Sequence, residues 1–287
     1  MTDDESAVSA DSEPFDPATV DLETARATVR ETAPLVNALT NEVTVNDVAN
    51  VTLHWGGLPV MSDDVREVAD MVASAQGLLL NMGTVSEAGE AAMTTAGEAA
   101  ADHGVPAVVD PVGAGATPTR SRVAERLVTD LDPAIISGNY GEVAALAGEN
   151  AEVRGVESVG DHADIAATAV ACARETDAVV VASGETDVVA AGDRAFEVRS
   201  GDPLMGRAVG TGCMLGVTLA TFAAVIDDPL EASLAGTLAY GLAGEAAAAG
   251  EFGEHHGPAS YLTAFLDAVA GHEPTADPAE RIREVIA

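Results

Sequence analysis

Residues 77–113 read GLLLNMGTVSEAGEAAMTTAGEAAADHGVPAVVDPVG. An apolar run ends at a polar residue and a glycine, a small-residue stretch of helical composition follows, and a second apolar run ends on Asp110. Two strands joined by a helix make a parallel βα unit, because a parallel return needs a crossover where an antiparallel one needs only a hairpin.

The same alternation extends outward from this stretch. Apolar runs at 34–38 (PLVNA), 58–61 (LPVM), 134–137 (AIIS) and 178–183 (AVVVAS) read as further strands. Helices are expected over DPATVDLETARATVRETA, TVNDVANVTLHW, DDVREVADMVASA, TPTRSRVAERLVTDL and DIAATAVACARET. After Ser183 the pattern becomes a hairpin, DVVAAGDRAFEV, with Gly192 and Asp193 at its turn. Three helices follow, starting at Thr211, Pro229 and Pro258. The fold class is therefore α/β: a mainly parallel central sheet with helices on both faces. Residues 1–16 read as an acidic mobile leader and 17–287 as one domain.

Composition narrows the function. The formal charge is −34, from 47 acidic and 13 basic residues, and every basic residue is Arg. Without lysine there is no Walker lysine, no protein-kinase strand lysine and no pyridoxal Schiff base. A surface this acidic disfavours nucleic acid. The acids are spread along the whole chain, as expected of a protein kept hydrated in a very salty cytoplasm. No apolar run reaches the roughly 18 residues of a membrane span, and the start is not a secretory leader. Two cysteines, Cys172 and Cys213, suggest neither a disulfide framework nor a zinc site and fit a reducing cytoplasm.

In a doubly wound sheet, ligands sit beyond the carboxyl ends of the strands. The junctions there are ALTNEV, LLLNMGT, VVDPVGAGATPTR, IISGNYGE, VASGETD and VGTGCML. Gly113 and Gly115 after Asp110 form a lone GxG, read alone as a tight turn. Asn139 and Glu142 form N-x-x-E, which is either a helix cap or a carboxylate placed to hold hydrated Mg²⁺. Gly210, Thr211 and Gly212 leave backbone N–H groups free at a helix start, an anion site by geometry and dipole. Cys213 in that first turn is either a small buried hydrophobe or a thiol with partial thiolate character. Cys172 reads as core, and His255–His256 as a surface pair rather than a metal site.

Taken in order, LTNEVTVNDVAN, GGLPVM, LLLNMGT, DPVGAGATPTR, GNYGEVAALAGE, SGETD, VGTGCML and GPASY resemble the hydroxyethylthiazole kinase family from about Pro34 to about Ala270. The resemblance implies a ribokinase-like fold, ATP and Mg²⁺, phosphorylation of 4-methyl-5-(2-hydroxyethyl)thiazole in thiamine salvage, and a homotrimer with active sites between subunits. A kinase of hydroxymethylpyrimidine and a non-catalytic sensor are the alternatives. Carried over by position, Asn41, Met61, Gly83 and Gly210 would face the thiazole, and Asp110 and Glu142 would hold the metal. Ser137, Asn139, Ser183, Gly184 and Arg207 would bind ATP, while Gly210, Thr211, Gly212 and Cys213 would carry the transfer. Ser137 departs from the family, which commonly has Arg there, and Arg120 is a candidate to replace its charge.

Overall fold

In the computed structural model, residues 15–148 and 164–287 are described, with the backbone of 153–154 and 157–158 between them. A 3-10 turn at Pro17–Thr19 precedes α1 (Leu22–Thr32), β1 (Leu35–Leu39), α2 (Val45–Trp55), β2 (Leu58–Val60), α3 (Val68–Val72), β3 (Gly77–Asn81), α4 (Glu87–His103) and β4 (Ala107–Asp110). Next come α5 (Pro118–Asp130), β5 (Ile135–Asn139), α6 (Tyr140–Leu146), the short ribbon β6 (Val153–Arg154) and β7 (Glu157–Ser158), α7 (Ile165–Thr176) and β8 (Val179–Ser183). The chain closes with β9 (Asp187–Ala191), β10 (Arg194–Val198), α8 (Thr211–Ala223), α9 (Pro229–Ala248), α10 (Pro258–Gly271), α11 (Pro278–Arg281) and β11 (Ile282–Ile286).

Nine strands form one sheet in the order β2-β1-β3-β4-β5-β8-β9-β10-β11. The first six in that order are mutually parallel, and the last three add antiparallel. Successive residues serve opposite faces. Leu79, Val108, Ile135 and Val181 enter the core that includes residues of α1, α2, α8, α9 and α10. Leu78, Leu80, Val109, Ile136 and Val180 enter the core that includes residues of α3, α4, α5 and α7. Covering both faces explains why β3 is buried at every position. α8 is buried at every residue from Met214 to Ala223, which is why its sequence shows no polar stripe.

The six parallel strands and the hairpin lie where the hydrophobic runs place them. Several details differ, among them the ribbon β6–β7 and the short α11, neither of which was expected. Residues 16–33 are not one helix: Asp16 caps the 3-10 turn and Asp21 caps α1 separately. The helix expected over 63–75 shrinks to α3. Of the leader expected over 1–16, residues 1–14 lie outside the described residues, while Phe15 is docked edge-on against Phe196 at 5.9 Å. β11 was not expected, since IREVI lacks strict alternation. It is held on β10 by Arg194–Glu284 at 2.6 Å and Arg283–Glu197 at 2.9 Å, partners far apart in sequence.

Candidate active site

β1, β3, β4, β5 and β8 end at one edge of the sheet, and the α8 N-terminus lies over the same edge. Just past β1, Asn41 is buried and its Oδ1 accepts the N–H groups of Val43 and Thr44 at 3.0 and 3.2 Å. That turns its Nδ2 inward, where it donates to Asn81 Oδ1 at 3.0 Å and to Cys213 Sγ at 3.4 Å. The Gly83 N–H donates to the same Asn81 oxygen at 3.0 Å. A Cβ on Gly83 would come within 2.7 Å of Asn41 Cβ, so only glycine lets the two loops approach this closely.

At the end of β4, Asp110 is buried and accepts from Asn81 Nδ2 at 2.5 Å. Glu142, also buried, accepts the Gly113 N–H at 2.6 Å and the Asn139 N–H at 2.8 Å, while Asn139 Oδ1 accepts the Glu142 N–H at 3.0 Å. The N-x-x-E is therefore a complete capping box, and its carboxylate still lies close enough to Asp110 for the two to interact. Burial first, then the Glu142 charge, pushes the Asp110 carboxyl well above the usual range against the pull of Asn81. Burial raises Glu142 as well, opposed by the Gly113 and Asn139 N–H groups and by Arg120.

α8 begins at Gly210, whose φ of +94° places it in the left-handed region, and no side chain caps the helix. A Cβ on Gly210 would meet Thr44 Cγ2 at 2.7 Å, and one on Gly212 would meet nothing. Thr211 Oγ1 donates to Met205 and Ala208 carbonyls, and its own carbonyl accepts the Tyr240 hydroxyl at 2.7 Å, so the turn is clamped from outside. Asp110 Oδ2 lies 3.5 Å from where a Cβ on Gly216 would stand, which places that carboxylate beneath the second turn of α8.

Two sequence expectations are corrected here. Cys213 has no thiolate character: burial, and then the negative charge of Asp110, push its thiol up to about 11, outweighing neighbouring Thr44, Asn81 and Asn41. Arg120 is not available as a substitute phosphate ligand. Its guanidinium donates to the carbonyls of Met82, Val112 and Gly83 and pins two site loops together.

The remaining candidates spread along the same edge. Ser137 is buried within β5, Ser183 Oγ donates to the Gly138 carbonyl at 3.3 Å, and the Gly184 N–H donates to Asp187 at 3.0 Å. Arg207 is exposed in the 3-10 turn Met205–Arg207, and Met61 packs half-buried against the core that includes α2 and α8. His255 lies edge-on to Tyr261, and among the described residues no three metal-ligating side chains cluster. Asn81 was missed as a site residue. Its signal was present: it is the polar residue that ends an otherwise apolar strand.

Six parallel strands continued by three antiparallel ones, with an uncapped glycine-led helix over the strand ends, are the architecture of the ribokinase-like fold class. The family model for the hydroxyethylthiazole kinase family matches residues 27–273. The chain is 64% identical over 272 residues to a hydroxyethylthiazole kinase of Natronomonas pharaonis, covering 94% of this chain and 97% of that one. It is 67% identical over 244 residues to one of Haloquadratum walsbyi, covering 85% of each. The solved hydroxyethylthiazole kinase structure from Pyrococcus horikoshii superposes with a TM-score of 0.80 at 32% identity, over 92% of this chain and 98% of that chain. The chain belongs to the hydroxyethylthiazole kinase family.

Proposed function

We propose that the protein transfers the γ-phosphoryl group of ATP to the hydroxyethyl oxygen of 4-methyl-5-(2-hydroxyethyl)thiazole, with Mg²⁺, as a step of thiamine salvage. The observation that carries this reading is the position of Asn41, which bonds Cys213 under the α8 turn and, through Asn81, the Asp110 carboxylate. Acceptor and phosphoryl sites are thereby adjacent. Asn41, Met61, Gly83 and Gly210 would line the acceptor pocket, and the free N–H groups of Thr211, Gly212 and Cys213 would receive the phosphoryl oxygens. Ser137, Asn139, Ser183, Gly184 and Arg207 would bind the nucleotide, Arg207 contributing an exposed cation.

Asp110 and Glu142 fit Mg²⁺. They are two buried carboxylates, both pushed up by burial and Asp110 further by the Glu142 charge, and Mg²⁺ uses one or two carboxylates while keeping waters and phosphate oxygens. Bound there, the ion supplies charge neutralisation to the phosphates. Cys213 acts as a neutral thiol: its sulfur accepts from Asn41 and orients the acceptor hydroxyl, which loses its proton late in a loose transition state.

We further propose that residues 17–287 form one domain working as a homotrimer in the cytoplasm. Support comes from the single nine-stranded sheet and from exposed apolar residues, Val43 and Val209 at 75% beside the site and Leu53, Leu58 and Val65 at about half elsewhere, which a partner subunit would cover. No helix among the described residues is long and apolar enough to cross a membrane. A coupled ADP-release assay with ATP, Mg²⁺ and either the thiazole alcohol or hydroxymethylpyrimidine tests the reading. Turnover of the pyrimidine alone, or of neither, would overturn it.

A further inference from the structure

The hydrogen bonds along the strand ends run in one direction. Backbone N–H groups can only donate, so those of Val43 and Thr44 fix Asn41 Oδ1 as an acceptor, and that of Gly83 fixes Asn81 Oδ1 as one. Both side-chain NH₂ groups must then point onward. That of Asn41 donates to Asn81 and to Cys213, and that of Asn81 donates to Asp110 Oδ2. Three backbone amides thus orient two asparagines whose donors end on the thiol sulfur and on the carboxylate.

The second asparagine carries the larger consequence. Glu142 is held by two backbone N–H groups, whereas among the described residues Asn81 provides the one hydrogen bond to the Asp110 side chain. The loop following β4 turns away through Val112 and Gly113, and the Gly113 N–H is spent on Glu142. Among the described residues no other hydrogen bond fixes the rotation of this buried carboxylate, which lies beneath α8.

We propose that Asn81 is a positioning residue of the phosphoryl transfer: it receives the Gly83 and Asn41 donors of the acceptor pocket and aims Asp110 Oδ2 at the second turn of α8. This rests on the kinase reading above. Asn81 touches neither substrate; it acts through Asp110, so its loss should fall on turnover rather than on binding. A displacement of about 1 Å in a reacting group is enough to cost on the order of 10²-fold in rate.

Asn81→Asp is the decisive variant, because it keeps the size and the acceptor oxygen for Gly83 and Asn41 while replacing the donor to Asp110 with a carboxylate oxygen. The measurements are kcat, KM for ATP and for the thiazole alcohol, and calorimetric binding of the thiazole alcohol, with Asn81→Ala and Asn81→Ser run beside it. The expected result is a fall in kcat on the order of 10²-fold in Asn81→Asp, at least as large as in Asn81→Ala, with both KM values and thiazole binding unchanged. A packing role predicts the opposite order, with the isosteric Asp milder than Ala. Wild-type kcat in a folded Asn81→Asp protein, or a loss confined to thiazole binding, would overturn the proposal. Should Asn81→Asp not fold, Asn81→Ser carries the same kcat-against-KM reading. A wild-type protein inactive on the thiazole alcohol would instead sink the kinase reading itself, a result separate from any of these.

Discussion

Cys213 Sγ lies 3.4 Å from Asn41 Nδ2, with the sulfur as the acceptor, although the residues are 172 positions apart in the chain. A side chain that receives a hydrogen bond here can steer the acceptor hydroxyl. Cys213→Ala should therefore lose about 10- to 10³-fold in kcat. Cys213→Asp should retain more, because a carboxyl oxygen, ionised or not, still accepts from Asn41 as the sulfur does. Steady-state kinetics and melting temperatures for both variants check this. An active Ala variant beside a folded but dead Asp variant would show that the thiol merely packs.

The direction of the thiol's proton affinity gives a second test. With Cys213 pushed up to about 11, the thiol stays protonated at neutral pH, and thiolate grows only as pH rises toward that value. In a Cys172→Ala background, the rate of alkylation by iodoacetamide should climb about tenfold per pH unit from pH 8 to 10. A plateau near pH 9 or lower would contradict the burial argument.

Glu142 both closes the α6 capping box and faces Asp110, so one substitution confounds two roles. Glu142→Ala should lower kcat by about 10²-fold or more and also lower the melting temperature. Glu142→Gln keeps one acceptor oxygen and most of the packing, so it should melt nearer to wild type yet need more Mg²⁺ for half-maximal rate. Equal Mg²⁺ dependence in wild type and Glu142→Gln would remove the carboxylate from the metal site.

Gly210→Ala faces both a φ of +94° and a contact of 2.7 Å with Thr44 Cγ2. Strain of this kind costs about 1–3 kcal/mol, and it should displace the turn that presents the free N–H groups. Adding Thr44→Ser removes the contacting methyl but not the backbone strain, so chemical denaturation should show partial recovery. Wild-type stability in the single variant would refute the close packing of Thr44 on this turn.

The charge of −34 without a lysine makes self-repulsion a global term. Melting temperature should rise steeply with KCl into the molar range, where the Debye length is about 3 Å. A melting temperature in dilute buffer equal to that in concentrated KCl would count against it.

The positions of the parallel strands along the chain, the hairpin at Gly192 and the row of polar strand ends were determined by the sequence alone. Hydrophobic periodicity and turn residues act over a few positions, and the chain displays both openly. The candidate site residues stood out for the same reason, since Asn41, Asp110, Asn139, Glu142 and the 210–213 turn all lie at or beside the ends of such elements. What each polar group does there was decided only by the tertiary structure. Arg120 spends its charge on three carbonyls, Asn81 joins Asn41 to Asp110, and β11 is held by ion pairs to β10. The Cys213 thiol moves up rather than down, because desolvation and a neighbouring carboxylate outweigh a helix terminus, and both depend on residues that only the folded chain brings together.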